Sequence, residues 1–501
     1  MKKYFILLAL LFPVVLFGKN NVQSYVDNVF STNMFLKNSV ISVYVEDENG
    51  KELASLNPSM PLLTASVAKT ITTGLALKIL GPDYKFSTKI AYSGRIHRNG
   101  VLYGDIYIVG GADPTLGMDD YNMSVPADSI FAIWKEELKA AGIKSVKGLV
   151  IGDDRIFSDE CAPSFWSYGN MGGISGCGSS GLPFAMNQSV FEIKAGEYSG
   201  DPVAVTPLSG VLPDLQIINE LSTGKPGSST NNVACRTTRI APVIRLYGTY
   251  PAGNTKKRIA PNQFSAWTCA YEFSKYLAAN GIKTEGYDEI TNVRRAHQPC
   301  TSQDSLTYVA ETFSPELKDI VYTTNRVSQN FFAETIYRLV GKKLIEQKKG
   351  SAALNVSYKN ASKAIREYLI INGVDLTGYA QADGSGLSRN NHISASFLTR
   401  FYNFMLQDEA VFDTYLASFP VPGEYGTLDV VLKNENPDIK ASIHAKSGSL
   451  DDVRTYAGFA KTKSGYVRFA IMTNNLPCPK SKVQPVIEGL MFEIAKYAKN
   501  M

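Results

Sequence analysis

The stretch TASVAKTITTGLALKILGPDY, residues 64–84, has the length and apolar content of a buried helix. Gly81 and Pro82 end it, because glycine favours the helix C-terminal cap and proline cannot continue the helix. Ser66 and Lys69 lie three residues apart at its start, so they share one helix face. A lysine kept neutral by burial could take the serine proton, and the unpaired N–H groups of the first turn could bind an oxyanion. Taken alone, however, the pattern is more often an N-cap serine followed by a solvated lysine.

The segments around this helix predict an α+β domain. Residues 40–57, VISVYVEDENGKELASLN, alternate apolar and polar side chains around Asn49-Gly50, which is typical of a β-hairpin. Helical spacing dominates much of the chain after residue 265, and three strand-like runs and a closing helix lie near the C-terminus. A hairpin before a helix, with a strand meander after several helices, indicates an antiparallel sheet that combines both ends of the chain.

The middle of the chain has a different composition. Residues 91–264 are rich in Gly, Pro, Ser and Asn and contain short alternating runs such as VLYGDIYIVGG. We therefore predict an inserted, mainly β region here. The flanking segments, 19–90 and 265–501, are predicted to form one domain that the insertion interrupts.

Residues 1–18 have the features of a secretory signal peptide. Lys2 and Lys3 precede an apolar run of 14 residues, and Gly18 is a small residue at a plausible cleavage point. The run is too short to cross a bilayer comfortably, and the alternative is an uncleaved membrane anchor. The sequence thus predicts an exported, periplasmic protein.

Composition excludes several other classes of function. A hydrophobic content of 44% and a net charge of +5 describe a globular protein without the basic clusters of a nucleic-acid binder. Six cysteines permit disulfides in an exported protein, but the sequence does not choose their pairing. No CxxC or HExxH pattern occurs and the four histidines are isolated, so we expect no metal site and no cofactor.

Two further short patterns could complete a serine-based site. Ser328-Gln329-Asn330 lies in a helical region, where by itself it is typical of a helix entry or a polar turn. Lys-Ser-Gly occurs twice, at 446–448 and at 463–465. The second copy lies between two alternating runs and is predicted to be a hairpin turn. The first copy follows strand-like residues and is the candidate for chemistry.

Taken in order, these patterns resemble the signature of penicillin-binding proteins and serine β-lactamases: Ser-x-x-Lys opening a helix, Ser-x-Asn in a helical region, and Lys-Ser-Gly on a late strand. The 262 positions from Ser66 to Ser328 are far more than the shared catalytic domain needs. This gap resembles the low-molecular-mass class C branch of D-alanyl-D-alanine carboxypeptidases and endopeptidases. Three other stretches are similar to that branch, GGADPTL (110–116), DGSGLSRNN (383–391) and KSGSLDDVRTYAGF (446–459). The resemblance implies a transpeptidase-like α+β domain with two small domains in the insertion.

The resemblance also implies a role for each matching residue. Ser66 would be the acylated nucleophile, Lys69 its general base, and Ser328 a proton relay towards the leaving amine. The substrate would be bound by the remaining matched positions: Asn330 at the peptide backbone, Lys446, Ser447 and Gly448 at the terminal carboxylate, and Ser449, whose N–H would form the oxyanion hole with that of Ser66.

Five positions depart from the family pattern or carry weaker expectations. Gln329 stands where the family usually has Asp, and Ser447 stands where it usually has Thr but keeps the hydroxyl. Asp383 and Arg389 would border the site, although an Asp-Gly turn is the alternative reading of their segment. Asp153, in the insertion, would face the substrate side chain.

The expected function is a serine D-Ala-D-Ala carboxypeptidase or endopeptidase acting on peptidoglycan stem peptides, with β-lactams as acylating inhibitors. One alternative is a serine β-lactamase. Glu367 lies at a suitable distance for a deacylating glutamate, but its surroundings have helical apolar spacing. The other alternative is a non-catalytic cell-wall binder or β-lactam sensor on the same scaffold. Contacts with the membrane surface or with other cell-wall proteins stay open.

Overall fold

The computed structural model describes residues 21–121, 123, 126–160, 162–163, 165–212, 214–284, 293–296 and 302–501. The predicted signal peptide lies outside these residues, as do Cys161 and Cys300. The other four cysteines are free thiols, at positions Cys177, Cys235, Cys269 and Cys478. Among the described helices, none combines the length and the hydropathy needed to cross a membrane.

The described strands are, in chain order, β1 (Val40–Glu46), β2 (Glu52–Leu56), β3 (Ser87–Tyr92), β4 (Arg95–Ile96), β5 (Val101–Tyr103), β6 (Ile106–Gly110), β7 (Ser145–Lys147), β8 (Val150–Asp153), β9 (Gln188–Lys194), β10 (Ala204–Ser209), β11 (Gln216–Gly224), β12 (Val233–Thr237), β13 (Val243–Pro251), β14 (Thr255–Pro261), β15 (Lys283–Thr284), β16 (Val293–Ala296), β17 (Thr307–Phe313), β18 (Tyr379–Ala380), β19 (His392–Ile393), β20 (Ile443–Leu450), β21 (Val453–Lys461) and β22 (Tyr466–Asn474).

The described α-helices are α1 (Asn21–Tyr25), α2 (Ala68–Leu80), α3 (Ala127–Ala140), α4 (Ser265–Ala279), α5 (Leu317–Arg326), α6 (Asn330–Lys349), α7 (Tyr358–Ile371), α8 (Ala395–Leu406), α9 (Glu409–Ala417), α10 (Pro437–Ser442) and α11 (Lys480–Asn500).

A five-stranded antiparallel sheet in the order β2-β1-β22-β21-β20 joins the two ends of the chain. Its side chains alternate between two apolar cores, as the pleat of a strand requires. Phe459 packs into the core that contains Ile71 of α2, whereas Tyr456 packs into the core that contains Ile487 of α11. Helices therefore lie on both faces of the sheet, and β20 forms one of its edges. The predicted α+β fold is confirmed.

Among its described residues, the inserted region contains the α-helices α3 and α4 as well as small sheets. β3 and β17 pair in a five-stranded sheet of order β16-β8-β6-β3-β17. Phe273 of α4 packs in the same core as Ile90 and Trp134 of this region. The structure thus places α4 with the insertion, which ends after β17 and not at residue 264 as its composition predicts. Helical spacing predicts an apolar face on α4, but it cannot tell which sheet covers that face.

A smaller β subregion lies within the insertion. Residues 188–261 contain two three-stranded sheets, of order β10-β9-β14 and β11-β13-β12. Phe191 of β9 and Leu246 of β13 lie in one shared apolar core. β14 is an edge strand of its sheet, so one side of its backbone is not paired with a neighbouring strand.

Candidate active site

Ser66 lies in the 3₁₀ turn Ala65–Val67, directly before α2. The N–H groups at the start of a helix have no partner within the helix, so they can bind a developing negative charge. Gly386 packs directly against this turn, where a Cβ atom would come within 1.8 Å of the Ala65 carbonyl oxygen. Its φ of +85° also favours glycine. Only glycine therefore allows the 383–391 loop to lie this close to the turn that carries Ser66.

Lys69 is fully buried, and three acceptors surround its amine. Its Nζ lies 2.9 Å from Ser66 Oγ, 2.7 Å from Asn330 Oδ1 and 2.8 Å from the Ser385 carbonyl oxygen. A neutral amine has two hydrogens and one lone pair. If the two hydrogens are donated to Asn330 and Ser385, the lone pair points at the Ser66 hydroxyl. The pocket thus directs the lone pair of a neutral Lys69 towards the Ser66 hydroxyl.

Burial lowers the pKa of Lys69 to about 7, because the charged amine loses its hydration. The nearby carboxyl groups of Glu334 and Asp383 act in the opposite direction and keep the pKa from falling further. A large fraction of Lys69 is therefore neutral near pH 7, which is the state a general base needs.

Glu334 is a buried carboxyl group that sequence reasoning missed. It lies on α6, and it accepts hydrogen bonds from the backbone N–H groups of Gly384 (3.2 Å) and Ser385 (2.8 Å). Burial, and then the neighbouring Asp383, raise the pKa of Glu334 above its usual value. Because the Ser385 carbonyl accepts from Lys69, Glu334 holds the segment that orients the Lys69 amine. The available signal was its position four residues after Asn330, on the same helix face.

The Ser328-Gln329-Asn330 segment forms the turn between α5 and α6. Ser328 has a left-handed backbone, with φ of 60°, and Asn330 is the first residue of α6. The Gln329 side chain caps this helix by accepting from the Phe331 N–H at 3.1 Å. Gln329 stands where the family usually has aspartate, and its side chain still caps α6 as an aspartate would. The next residue, Asn330, contacts Lys69.

Lys446 lies on β20, is fully buried, and donates to the Ser447 carbonyl oxygen at 2.9 Å. Burial, followed by the positive charges of Lys69 and Arg454, lowers the pKa of Lys446 well below its usual value. The two lysines of the site are thus close enough to repel each other. A bound carboxylate would relieve that repulsion and restore charge to Lys446.

Gly448 allows β20 to approach the nucleophile turn. A Cβ atom there would come within 2.2 Å of Thr455 Oγ1 and 2.5 Å of the Thr64 carbonyl oxygen. The Lys446-Ser447-Gly448 copy therefore lies beside Ser66. In the second copy, the Ser464 and Gly465 N–H groups both donate to Thr462 Oγ1 between β21 and β22. The prediction that the second copy is a hairpin turn is confirmed.

Ser449 is the last residue but one of β20 and lies at the exposed side of the site. Lys480, at the start of α11, donates to Ser449 Oγ at 2.8 Å and to the Leu450 carbonyl oxygen at 3.0 Å. Lys480 therefore holds the strand end whose N–H is expected to serve the oxyanion hole. This residue was not predicted, since no short pattern marks it.

The two candidate residues of the 383–391 loop, Asp383 and Arg389, differ in their exposure to the cleft. Asp383 is buried and accepts from the Gly386 and Ser388 N–H groups and from the Trp166 indole at 2.8 Å. It organises the loop from behind and does not present its carboxylate to the cleft. Arg389 is exposed and lines the cleft rim.

Asp153 lies in a separate part of the insertion. Its carboxylate is buried, accepts from Arg155 Nε at 2.8 Å, and accepts from Gln303 Nε2 at 3.0 Å. Among the described residues that line the cleft around Ser66, Asp153 does not occur. The structure therefore does not bring Asp153 together with the other predicted residues.

A cleft of roughly 280 Å³ surrounds Ser66. One wall comes from the insertion, because the Ser175 carbonyl oxygen accepts from Asn330 Nδ2 at 3.1 Å. In the described part of the chain, no group of His, Cys, Asp and Glu side chains is placed to hold a metal ion. The lining residues are Ser66, Ser167, Asn170, Ser175, Asn330, Ser385, Gly386, Leu387, Arg389, Ser449, Leu450, Asp451 and Lys480.

The sequence matches the D-Ala-D-Ala carboxypeptidase 3 (S13) family over residues 22–495. It is 27% identical over 467 residues to the D-alanyl-D-alanine carboxypeptidase of Actinomadura sp. (strain R39), covering 91% of this chain and 81% of that protein. It is 23% identical over 456 residues to the D-alanyl-D-alanine carboxypeptidase DacB of Haemophilus influenzae, covering 89% of this chain and 88% of that protein.

A solved structure supports the same assignment at the level of the fold. Penicillin binding protein 4 (dacB) from Haemophilus influenzae has a TM-score of 0.76 with this chain at 20% identity, over 95% of this chain and 98% of that chain. The fold is thus that of a penicillin-binding protein. The chain belongs to the D-Ala-D-Ala carboxypeptidase 3 (S13) family, and it is a serine D-Ala-D-Ala carboxypeptidase/endopeptidase. The class C resemblance is confirmed.

Proposed function

We propose that the enzyme cleaves peptidoglycan stem peptides through an acyl-enzyme formed on Ser66. One observation carries this proposal: Lys69 Nζ lies 2.9 Å from Ser66 Oγ in a pocket that occupies both amine hydrogens elsewhere. A serine hydroxyl is a weak nucleophile until a base removes its proton. Lys69 is the buried group in contact with that hydroxyl.

In the acylation step, Ser66 Oγ attacks the carbonyl carbon of the penultimate D-alanine and transfers its proton to Lys69. The backbone N–H groups of Ser66 and Ser449 stabilise the oxyanion of the tetrahedral intermediate. The C–N bond then breaks, and the proton that Lys69 took from Ser66 passes through Ser328 to the leaving amine, which leaves Lys69 neutral again. The products of this step are an ester on Ser66 and a free amine.

In the deacylation step, water attacks the ester carbonyl and the bond to Ser66 Oγ breaks. Lys69 accepts a proton from the water and donates it to Ser66 Oγ as the ester bond breaks, so that the serine hydroxyl and the neutral amine are both restored. The shortened peptide leaves as a carboxylate. When the leaving amine of the first step is a terminal D-alanine, the reaction is a carboxypeptidase reaction. When that amine belongs to a neighbouring stem, the same steps open a cross-link.

Substrate binding is assigned to the edge of β20 and to α6. Lys446 and Ser447 bind the terminal carboxylate, and Gly448 gives it room to approach. Asn330 binds the peptide backbone on the side that becomes acylated. A peptide lying along an edge strand gains main-chain hydrogen bonds, which suits a substrate with small side chains. The positions of Asp383 and Arg389 support a positioning role for the first and a rim contact for the second.

Mass spectrometry after incubation with benzylpenicillin tests this assignment. We expect a persistent adduct on Ser66, since a β-lactam presents a reactive amide and a carboxylate to the same groups. The Ser66→Ala variant should carry no adduct. An adduct on a different residue, or equal labelling of Ser66→Ala, would remove Ser66 from its role.

The alternative function that must be distinguished from the peptidase is that of a serine β-lactamase. The proposal favours the peptidase because Glu367 lies on α7, bonds to Lys348 at 2.9 Å, and is absent from the described cleft lining. Without a dedicated base for deacylation, the penicilloyl ester should persist. Rapid consumption of penicillin with no lasting adduct would favour the β-lactamase.

We also propose that the enzyme is exported. Residues 1–18 resemble a signal peptide, and peptidoglycan is assembled outside the cytoplasmic membrane, so we place the enzyme in the periplasm. N-terminal sequencing of the mature protein should begin at residue 19. A protein that retains Met1 and stays with the membrane fraction would favour the anchor.

A further inference from the structure

A second groove begins on the far side of the wall that closes the catalytic cleft. The wall is made by two 3₁₀ turns, Asn170–Gly172 and Ile174–Gly176. Asn170 lines the catalytic cleft, Ile174 lines the second groove, and Ser175 lines both. The second groove has a volume of roughly 380 Å³. The two spaces are therefore neighbours that share one thin wall.

The groove has a positively charged lining. It contains Lys256, Lys257 and Arg258, which are consecutive on β14, and none of its described lining residues is acidic. Lys256 and Lys257 are exposed. The full lining is Gly173, Ile174, Ser175, Ile193, Thr230, Val233, Tyr250, Lys256, Lys257, Arg258 and Ile259. Such a surface attracts anions.

The surroundings of the three cations favour an external partner. Lys256 lies opposite Ile193 on β9, so no carboxylate faces it across the strand pair. Lys257 lies opposite Glu192 and is the less available of the two lysines. Arg258 donates to the Val233 carbonyl oxygen at 3.2 Å, while its buried Nε has no hydrogen-bond partner among the described residues. A buried unpaired donor is costly and gains from an acceptor.

The groove also adjoins the part of the active site that is assigned to the substrate backbone. The Ser175 carbonyl oxygen accepts from Asn330, which is assigned to the part of the peptide that becomes acylated. A peptide bound by Asn330 would therefore lie beside the wall that the catalytic cleft shares with the second groove. β14 is an edge strand, so its free backbone groups are suited to an extended chain.

We propose that this groove binds the carboxylate-bearing peptide of the peptidoglycan polymer whose end is cut in the catalytic cleft. The inference rests on the proposed function for its substrate class, since it extends the same substrate across the Ser175 wall. Lys256 supplies the principal electrostatic contact, and Arg258 offers a hydrogen bond deeper in the groove.

The test measures binding of purified, insoluble peptidoglycan by the full chain carrying Ser66→Ala, so that no turnover is needed. Sedimentation with the polymer at two salt concentrations compares this parent with Lys256→Glu and with Lys256→Gln. We expect charge reversal to weaken binding by about fivefold and the neutral variant to have a smaller effect, with less salt dependence in both. Lys144→Glu is the matched control, because it reverses an exposed lysine of the insertion that lines neither space.

Several outcomes would overturn the proposal. If Lys256→Glu binds peptidoglycan as well as the parent does, the groove is not a binding site. If Lys144→Glu loses as much binding as Lys256→Glu, the loss reflects the net charge of the protein and not the groove. Lysine-dependent binding to vesicles of phosphatidylglycerol, with none to peptidoglycan, would make the groove a lipid site instead. If the reversed charge in Lys256→Glu impairs folding, the neutral Lys256→Gln variant still measures the contribution of the Lys256 charge to binding. Failure of the proposed function is a separate result, the lack of a Ser66 penicilloyl adduct in the unmodified enzyme.

Discussion

At the residue scale, the role proposed for Lys69 as a base depends on surroundings that exclude water and occupy its hydrogens. Asn330 and Ser385 accept from the amine, and Glu334 holds the Ser385 backbone in place. The same lysine on a solvated helix would be charged near pH 7 and could not take the Ser66 proton. The chemistry is therefore a property of the pocket more than of the Ser-x-x-Lys pattern.

The depressed pKa of Lys69 predicts how acylation depends on pH. Only neutral Lys69 accepts the serine proton, so the rate of benzylpenicillin acylation should rise with pH and reach half its maximum near pH 7. Stopped-flow or quenched mass spectrometry between pH 5 and 9 measures this profile. A circular dichroism spectrum at each pH controls for unfolding. A rate that is constant across the range would contradict the assignment of Lys69 as the base.

At the element scale, the site depends on how closely β20 and the start of α6 approach α2. Gly448 lets β20 lie against the nucleophile turn, and the Gln329 side chain caps α6 immediately before Asn330. Each contact involves backbone atoms, so a small displacement moves a whole strand or helix end.

The two Lys-Ser-Gly copies provide a matched pair of variants. Gly448→Ala places a Cβ atom 2.2 Å from Thr455 Oγ1 and 2.5 Å from a backbone oxygen, so β20 must move away from Ser66. We expect penicillin acylation to slow by about 100-fold, because a shift of about 1 Å misaligns the reacting groups. In Gly465→Ala the nearest atom is Glu48 Cβ at 3.1 Å, and the acylation rate should stay close to the original. Equal rates for the two variants would contradict this account.

Gln329 provides a test of the α6 cap. Gln329→Ala removes the side-chain acceptor for the Phe331 N–H and should lower the free energy of unfolding by about 1 kcal/mol. Gln329→Asp should recover most of that stability, since aspartate is a preferred N-cap residue. Urea unfolding followed by circular dichroism gives both values. A full loss in the aspartate variant would mean that the Gln329 contact with Tyr121 OH, at 3.5 Å, matters more than the cap.

At the scale of the whole molecule, the insertion and the catalytic domain form one site together. Ser175 bonds to Asn330, and Trp166 bonds to Asp383 beneath the 383–391 loop. Arg338, one helical turn beyond Glu334 on α6, adds a buried link to the insertion, where it donates to the Ser158 and Glu160 carbonyl oxygens at 3.1 and 2.6 Å.

Arg338→Met should destabilise the protein more than the loss of a surface arginine. It removes the fully buried guanidinium together with its hydrogen bonds to the Ser158, Glu160 and Val356 carbonyl oxygens, and we expect a decrease of about 3 kcal/mol in the free energy of unfolding. Arg366→Met is the control, because Arg366 donates to the Tyr379 carbonyl oxygen from a partly exposed helix position and should cost about 1 kcal/mol. Chemical denaturation measures both. Similar losses in the two variants would contradict a special role for the buried link.

The limits of prediction from the sequence follow from the range of each interaction. The five-stranded sheet and the two Lys-Ser-Gly environments were predicted correctly, because alternation and turn residues are local signals. The C-terminal boundary of the insertion was not predicted correctly, because the apolar face of α4 could pack against the core of the insertion or against that of the catalytic domain. Asp153 was grouped with the site by resemblance, but its charge is paired with Arg155.

The sequence by itself determined the class of chemistry and the order of its parts, because Ser66, Lys69, Asn330 and Lys446 stand in short patterns at the starts of helices and on a strand. Only the tertiary structure decided which other residues serve them. Ser175 and Lys480 reach the cleft from distant parts of the chain, and the buried Glu334 holds the backbone of Ser385, a residue 51 positions away. A contact between residues far apart in the chain leaves no periodic trace in the sequence, so it becomes visible only when the chain is folded.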